Sequence, residues 1–368
     1  MTSSSRRDES LVLQMSMGHY RQRFLDELRE RAVPVRFLVG DRGFDDHSPT
    51  EVDSPIVERT GRVTWLLGRR VGLQRHVLRR TVAAPVAVVP LNPRFVTTWA
   101  VVLLRRLLRR PTVAWGHAWP RQGPAARSDR LRSVLRRLPT AILVYTETER
   151  SQVLERWPRL RVFVAPNAVY PAHEMQPALP TGAAPTNLVW IGRMIAAKRP
   201  VLAIEGFERA AVDLPESCRL VMVGSGPDLA EVRKRVESSP LRDRIEVTGQ
   251  VTDHDALTKI FGDAIAMLAT GYLGLNATQS VGFGVPVVYP ADEPHAPEVE
   301  ALDGGNSTSY AGQDVDGLTK AVVTVVGEGD AWFARREQIS RVARSRYSSE
   351  AMAEGFSDAL TAVARATA

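Results

Sequence analysis

The chain of 368 residues holds a single cysteine, Cys218, which excludes an intrachain disulfide and any zinc site built from cysteines. Lysine is nearly as scarce, with four in the whole chain and none in residues 1–180. No apolar run reaches the roughly 20 residues that a membrane-spanning helix needs. The most apolar stretch, Thr97 to Leu108, carries Arg105 and Arg106 and runs into Arg109 and Arg110. Met1 to Asp8 lacks the apolar core of a signal peptide, so a cytosolic protein is expected. At 44% hydrophobic and 24% charged residues the chain is neither disordered nor fibrous. No Asp-x-Asp element stands at a strand end suited to hold a metal ion, so neither metal nor cofactor is expected.

What is abundant is arginine, and it is unevenly placed. Residues 1–180 contain 30 arginines and 16 acidic residues, a balance of +14, and the remainder balances to −7. A basic first half points to a polyanionic partner: nucleic acid, an anionic membrane surface or a phosphorylated substrate.

Short aliphatic runs alternate with helical spacing through both halves. Leu11 to Met15, Val35 to Val39, Val86 to Val89, Thr112 to Trp115 and Ala141 to Tyr145 read as strands, with a helix over Tyr20 to Ala32 between the first two. The alternation restarts at Leu188 to Ile191 and continues through Arg219 to Val223, Ile245 to Val247, Ala264 to Leu268 and Val285 to Val288. The pattern predicts an α/β protein with two Rossmann-like, doubly wound domains facing across a cleft. The expected bounds are 1–170, a proline-rich linker at 171–186, a second domain at 187–345 and a C-terminal helix in 346–368 that packs back on the first.

Five segments in order carry a family resemblance: Val189-Trp190-Ile191-Gly192-Arg193, Lys198-Arg199-Pro200, Val221 to Pro227, Ile245 to Gly249, and Gly274-Leu275-Asn276 through Gly284-Val285-Pro286-Val287-Val288. With Ala165-Pro166-Asn167-Ala168-Val169 before the linker, the chain resembles the retaining glycosyltransferases of family 4 (glycosyl transferases group 1), whose architecture is GT-B. The resemblance implies a transfer of sugar from a nucleotide-diphosphate sugar donor to a hydroxyl acceptor that is lipid-linked, a glycan or a small molecule. One departure stands out. The family's Glu-x7-Glu pair falls on Gly271 and Gln279, so neither carboxylate is present.

The chemistry requires stabilisation of the charge that grows on a leaving diphosphate, which fixed cations and helix amides supply. Arg193 and Lys198 follow a strand and bracket a helix start; the resemblance makes them catalytic, and the bland reading is a pair of surface charges. Gly192, Gly249, Val251, Gly274, Leu275, Asn276 and Gln279 are implied as donor-binding, with Asn276 also readable as a helix cap. Glu298, in His295-Ala296-Pro297-Glu298, is the candidate to replace the carboxylate missing at position 271. Gly224-Ser225-Gly226 has Leu229 where a dinucleotide fingerprint needs its third glycine, so it reads as a structural turn. In the first half the resemblance makes His117 catalytic and puts Gly18, His19, Arg21, Asn92 and Arg94 on the acceptor side.

Arg105, Arg106, Arg109 and Arg110 alternate with pairs of leucines, and Arg127, Arg130, Arg132, Arg136 and Arg137 continue the series. That is a basic amphipathic pattern suited to the inner face of an anionic membrane, or else a solvated face. Nucleic acid is not expected, because the arginines are not interleaved with aromatics and no binding module is present. A nucleotide-sugar epimerase and a non-catalytic relative of the same fold are the other readings.

Overall fold

The computed structural model describes residues 9–43, 49–68, 70–312 and 314–365; Met1 to Asp8, read above for its lack of a signal-peptide core, lies outside them. The chain divides into two compact units, Met1–Tyr170 with Ser349–Ala368, and Pro171–Ser348.

In the first unit the strands are β1 (Ser10–Gln14), β2 (Val35–Val39), β3 (Val57–Arg59), β4 (Val63–Leu66), β5 (Val71–Gln74), β6 (Ala87–Pro90), β7 (Thr112–Trp115), β8 (Ala141–Val144) and β9 (Val162–Val164). Seven form a parallel sheet in the order β3-β2-β1-β6-β7-β8-β9, and β4 and β5 make a separate antiparallel hairpin. The central strands are aliphatic and buried because helices cover both faces. One face is sealed by the helix Ser349–Arg365, whose Phe356 ring lies 5.4 Å from Phe24 and 5.3 Å from Trp115 between ring centroids. Gly355 makes that approach possible: a Cβ there would stand 2.0 Å from the Val164 carbonyl oxygen of β9.

The arginine series does not form the continuous solvated face its spacing suggests. Arg105, on the helix Val96–Leu107, is fully buried. Its guanidinium donates to the carbonyls of Thr81 (2.9 Å), Val82 (2.9 Å) and Ala84 (2.8 Å) and to the Thr112 hydroxyl (3.0 Å). Desolvation pushes it down to about 10. Arg136 is equally buried, paired with both carboxylate oxygens of Asp129 and stacked over Trp119. These two cations are part of the core; a ring of backbone oxygens makes burial tolerable for Arg105, and the Asp129 carboxylate with the Ala118 carbonyl does so for Arg136.

The second unit contains β10 (Asn187–Ile191), β11 (Arg219–Val223), β12 (Ile245–Gly249), β13 (Ala264–Leu268), β14 (Val287–Pro290) and β15 (Ser307–Tyr310). All pair in parallel, in the order β12-β11-β10-β13-β14-β15. Strand order reverses between β10 and β13, and open α/β sheets bind ligands beyond the carboxyl ends of their strands at such a point. Residues 171–186 pack into this unit instead of forming an open linker. Met175 and Ala178 are buried, the Ala178 amide bonds Phe283 O (2.9 Å), and the Thr181 amide bonds Asp263 (2.7 Å). No helix among the described residues is long and apolar enough to cross a membrane.

A Phe356→Ala variant should lower the unfolding free energy of the first unit by about 3–5 kcal/mol, the usual cost of emptying a buried aromatic site. Urea denaturation would show the loss; an unchanged midpoint would mean the C-terminal helix is dispensable to that core.

Candidate active site

A cluster of buried polar contacts lies where β10 and β13 of the second unit end. β10 closes on Trp190 and Ile191, and the chain turns through Gly192 at φ 156°. A Cβ at Gly192 would lie 3.0 Å from Cδ and 3.4 Å from Nζ of Lys198, so the lysine side chain lies across the glycine. Lys198 Nζ donates to the Tyr272 carbonyl at 3.2 Å, using one of its three hydrogens. Burial pushes this amine down to about 8, against the opposing pull of the Glu298 carboxylate. Glu298 is itself buried, on the short turn Pro297–Ala301.

Thr270 fastens this turn. It is fully buried, accepts from the Trp190 indole (3.0 Å), and stands 2.9 Å from Lys198 O and 2.8 Å from Arg199 O, which share its one proton. Arg199 takes the left-handed conformation (φ 46°, ψ 57°), which turns two successive carbonyls toward one hydroxyl. Its guanidinium pairs with Glu293 at 2.5 Å, and Pro200 opens the next helix with a preset φ. The Tyr272 amide completes the clamp on Ala197 O (2.8 Å).

His295 fixes the other side of the loop. Pro290 O, 2.6 Å from Nε2, only accepts, so Nε2 carries the proton and Nδ1 accepts from the Leu273 amide at 3.1 Å. Desolvation holds this imidazole below its ordinary value, in keeping with a neutral ring. Asn276 is tied internally: Oδ1 accepts from the Gly274 amide (3.0 Å) and Nδ2 donates to Ile191 O (3.2 Å). Its side chain therefore positions the Gly274–Leu275 turn. Gln279 is half-buried on the helix Asn276–Gly282. Arg193 is exposed on the Gly192 loop, and Gly249 (φ 79°) and Val251 lie at the open end of β12, where a Cβ on Gly249 would meet nothing within 4 Å. The Gly224-Ser225-Gly226 turn packs backbone to backbone, since Cβ atoms at its two glycines would lie 1.9 Å from Gly192 O and 2.3 Å from Met194 O.

In the first unit the carboxyl edge of the sheet carries Gly18, His19, Asn92, Arg94 and His117. His19 is exposed and paired with Glu51 at 3.2 Å, and Asn92 accepts from the Arg94 amide at 3.0 Å. His117 is exposed beyond β7, its ring 4.7 Å from Tyr145 and its Nδ1 3.9 Å from the buried Glu149 carboxylate. Arg21 corrects its sequence reading. It is buried, with Nη2 on Asn167 (2.6 Å) and Nη1 on the Met352 sulfur (3.0 Å), and holds the first helix to the core. Among the described residues no group of three or more His, Cys, Asp or Glu could hold a metal ion.

The cationic turn, the Gly274 loop and the switch point all lie inside one stretch with a known sequence signature. Residues 185–328 match the family of group 1 glycosyl transferases. A poly(glycerol-phosphate) alpha-glucosyltransferase of Bacillus subtilis (strain 168) is 23% identical over 175 residues, covering 47% of this chain and 25% of that enzyme. The chain thus matches only a quarter of the length of that curated relative. Among solved structures, Anabaena HepE in complex with UDP has a TM-score of 0.69 at 13% identity, covering 96% of this chain and 100% of the other. The pneumococcal O-GlcNAc transferase GtfA in complex with UDP and GlcNAc has a TM-score of 0.68 at 10% identity, covering 97% and 99%. At such identities the likeness is one of fold, the GT-B fold of two Rossmann-like units in one chain.

Within the group 1 segment the structure accounts for glycine at position 271. A Cβ there would fall 2.5 Å from Ala197 O and 3.0 Å from the Lys198 carbonyl carbon, so any larger residue displaces the lysine turn. Thr270, Trp190 and Tyr272 were missed by sequence reasoning. The available signals were an indole in an otherwise aliphatic strand and a hydroxyl directly after the buried run Ala264 to Ala269.

Thr270→Val should cost about 1–3 kcal/mol, since it strips hydrogen bonds from a buried indole and a carbonyl pair. Equilibrium denaturation measures this. A variant as stable as the parent would remove Thr270 from its place as the clamp.

Proposed function

We propose that this protein is a glycosyltransferase that moves a sugar from a nucleotide-diphosphate donor to a hydroxyl acceptor, retaining the anomeric configuration and needing no metal ion. The observation that carries the reading is the desolvated Lys198 ammonium, held by Tyr272 O across Gly192 at the sheet's switch point. A cation in such a place interacts strongly with a diphosphate, because little water screens it. The exposed Arg193 on the same loop adds a second charge.

In this reading the bond from the anomeric carbon to the phosphate oxygen breaks as the bond to the acceptor oxygen forms on the same face. Lys198 and Arg193 stabilise the charge arriving on the diphosphate, and a leaving phosphate oxygen takes the acceptor's proton. Glu298 stands in for the carboxylate absent at position 271, near the donor sugar. Gln279 hydrogen-bonds the ribose as a neutral group, and the backbone around Gly249 and Val251 holds the base. His117 hydrogen-bonds sugar or phosphate, while Gly18, His19, Asn92 and Arg94 line the acceptor side. HepE and GtfA were solved with UDP, which makes UDP the first nucleotide to test.

A thermal-shift panel of nucleoside diphosphates and their sugars should give stabilisation by at least one donor. Lys198→Ala should cut turnover with that donor by about 10²–10³, the usual cost of losing one preorganised charge-stabilising donor, with folding intact. Full turnover in the folded variant would overturn the assignment.

The lysine also sets a pH dependence. With a folded value near 8 against 10.5 for the free side chain, the ammonium is present below about 8 and lost above it. Diphosphate affinity should therefore decline as pH rises through about 8, and Lys198→Arg should remove that limb while keeping binding. For stability the sign is reversed. Between about 8 and 10.5 the unfolded chain holds the proton that the folded one has released, so the burial penalty on the charge fades as pH rises.

A further inference from the structure

The helix Val96–Leu107 is apolar on two sides. Its inner side, with Val101, Val102 and Arg105, is in the core of the first unit. Its outer side carries Val96, Leu103 and Leu107 at i, i+7 and i+11, one stripe about 16 Å long at 1.5 Å per residue. Leu103, Leu104, Leu107 and Leu108 are 52%, 40%, 79% and 54% exposed. The helix Asp129–Arg137, joined to it by Arg106 Nη1 on Leu138 O (3.1 Å), exposes Leu131 and Val134. The β4–β5 hairpin, pinned to the helix start by Gly72 N on Arg94 O and Gln74 N on the Thr97 hydroxyl (both 2.9 Å), exposes Leu66 and Leu67 at its tip. Grouped leucines in water on a folded unit mark a contact surface.

The charge around them selects the occupant. Residues 59–128 contain fourteen arginines and not one lysine, aspartate or glutamate. Arg62, Arg70, Arg94, Arg106, Arg109 and Arg110 are exposed on the segments that bear the leucines. A leucine stripe with an arginine border fits a surface that is negative over its whole area and apolar just beneath. We propose that this face docks in the plane of an anionic phospholipid bilayer, the leucines entering the boundary between headgroups and acyl chains and the arginines meeting lipid phosphates. The division of labour differs from the sequence pattern: Arg105 holds the helix to the core, and the leucines make the apolar contact. The same helix begins directly after Asn92-Pro93-Arg94, so the docked face adjoins the carboxyl edge of the first sheet. This inference does not depend on the transfer reaction.

Flotation of the full chain with vesicles of equimolar phosphatidylglycerol and phosphatidylcholine, and with phosphatidylcholine alone, tests it. The protein should float with the anionic vesicles only. Leu103→Gln combined with Leu107→Gln should lower the bound fraction about tenfold, since the apolar contact is lost while every arginine remains. Circular dichroism and thermal melting of the variant should match the parent, because both side chains point to water. Three results would each overturn the proposal: no flotation of the parent, equal flotation of the double variant, or a parent dimer in sedimentation that the double variant dissociates.

Discussion

One hydroxyl group organises the candidate site of the second unit. Thr270 is buried at the end of a fully apolar strand, where its oxygen accepts from Trp190 and its single proton is shared between the carbonyls of Lys198 and Arg199. Two loops that enter from different strands are thereby locked in register, with the Tyr272–Ala197 bond as the second fastening. The lysine's reach across Gly192, its contact with Tyr272 O and its reduced proton affinity all follow from that registration. Gly271 is the steric condition for it, because the clamp closes through the space that a side chain there would occupy.

The arginines divide by environment. Arg105 and Arg336 are buried among backbone carbonyls from several loops, Arg136 is buried against the Asp129 carboxylate and the Ala118 carbonyl, and all three act as structural cations. The guanidinium suits this work because it presents five donors in a fixed plane, where an ammonium presents three on a point. This gives a physical use for arginine in a half without lysine. The exposed Arg62, Arg70, Arg94, Arg106, Arg109 and Arg110 lie in a long stretch without carboxylates, so their charges are not neutralised by sequence neighbours.

Much of the architecture was legible because the central strands are short aliphatic runs separated by segments of helical spacing. The strands β3, β4 and β5 were not legible. Val57-Glu58-Arg59 and its successors are partly exposed, short and interrupted by charges and glycines, so no periodicity marks them. In the candidate site, Gly192, Lys198 and the Gly274 loop could be read from motif order. Thr270 could not, since a single threonine after an apolar run has no spacing to give it away. Arg21 and Arg105 misled for the opposite reason: arginine signals solvent on average, and only the convergence of distant carbonyls or an amide oxygen shows that these two are inside.

The route of the chain through the two units carries a consequence for biosynthesis. The first unit is interrupted after Tyr170 and completed from Ser349, whose amide bonds the Tyr170 carbonyl at 2.9 Å. Its hydrophobic centre, including the pocket that receives Phe356, stays open on the ribosome until the helix Ser349–Arg365 has been made. The second unit, contiguous in sequence, is then the one free to form first, which reverses the usual N-to-C order of domain maturation. A first sheet complete in its strands but with a bare aromatic face is a species exposed to aggregation.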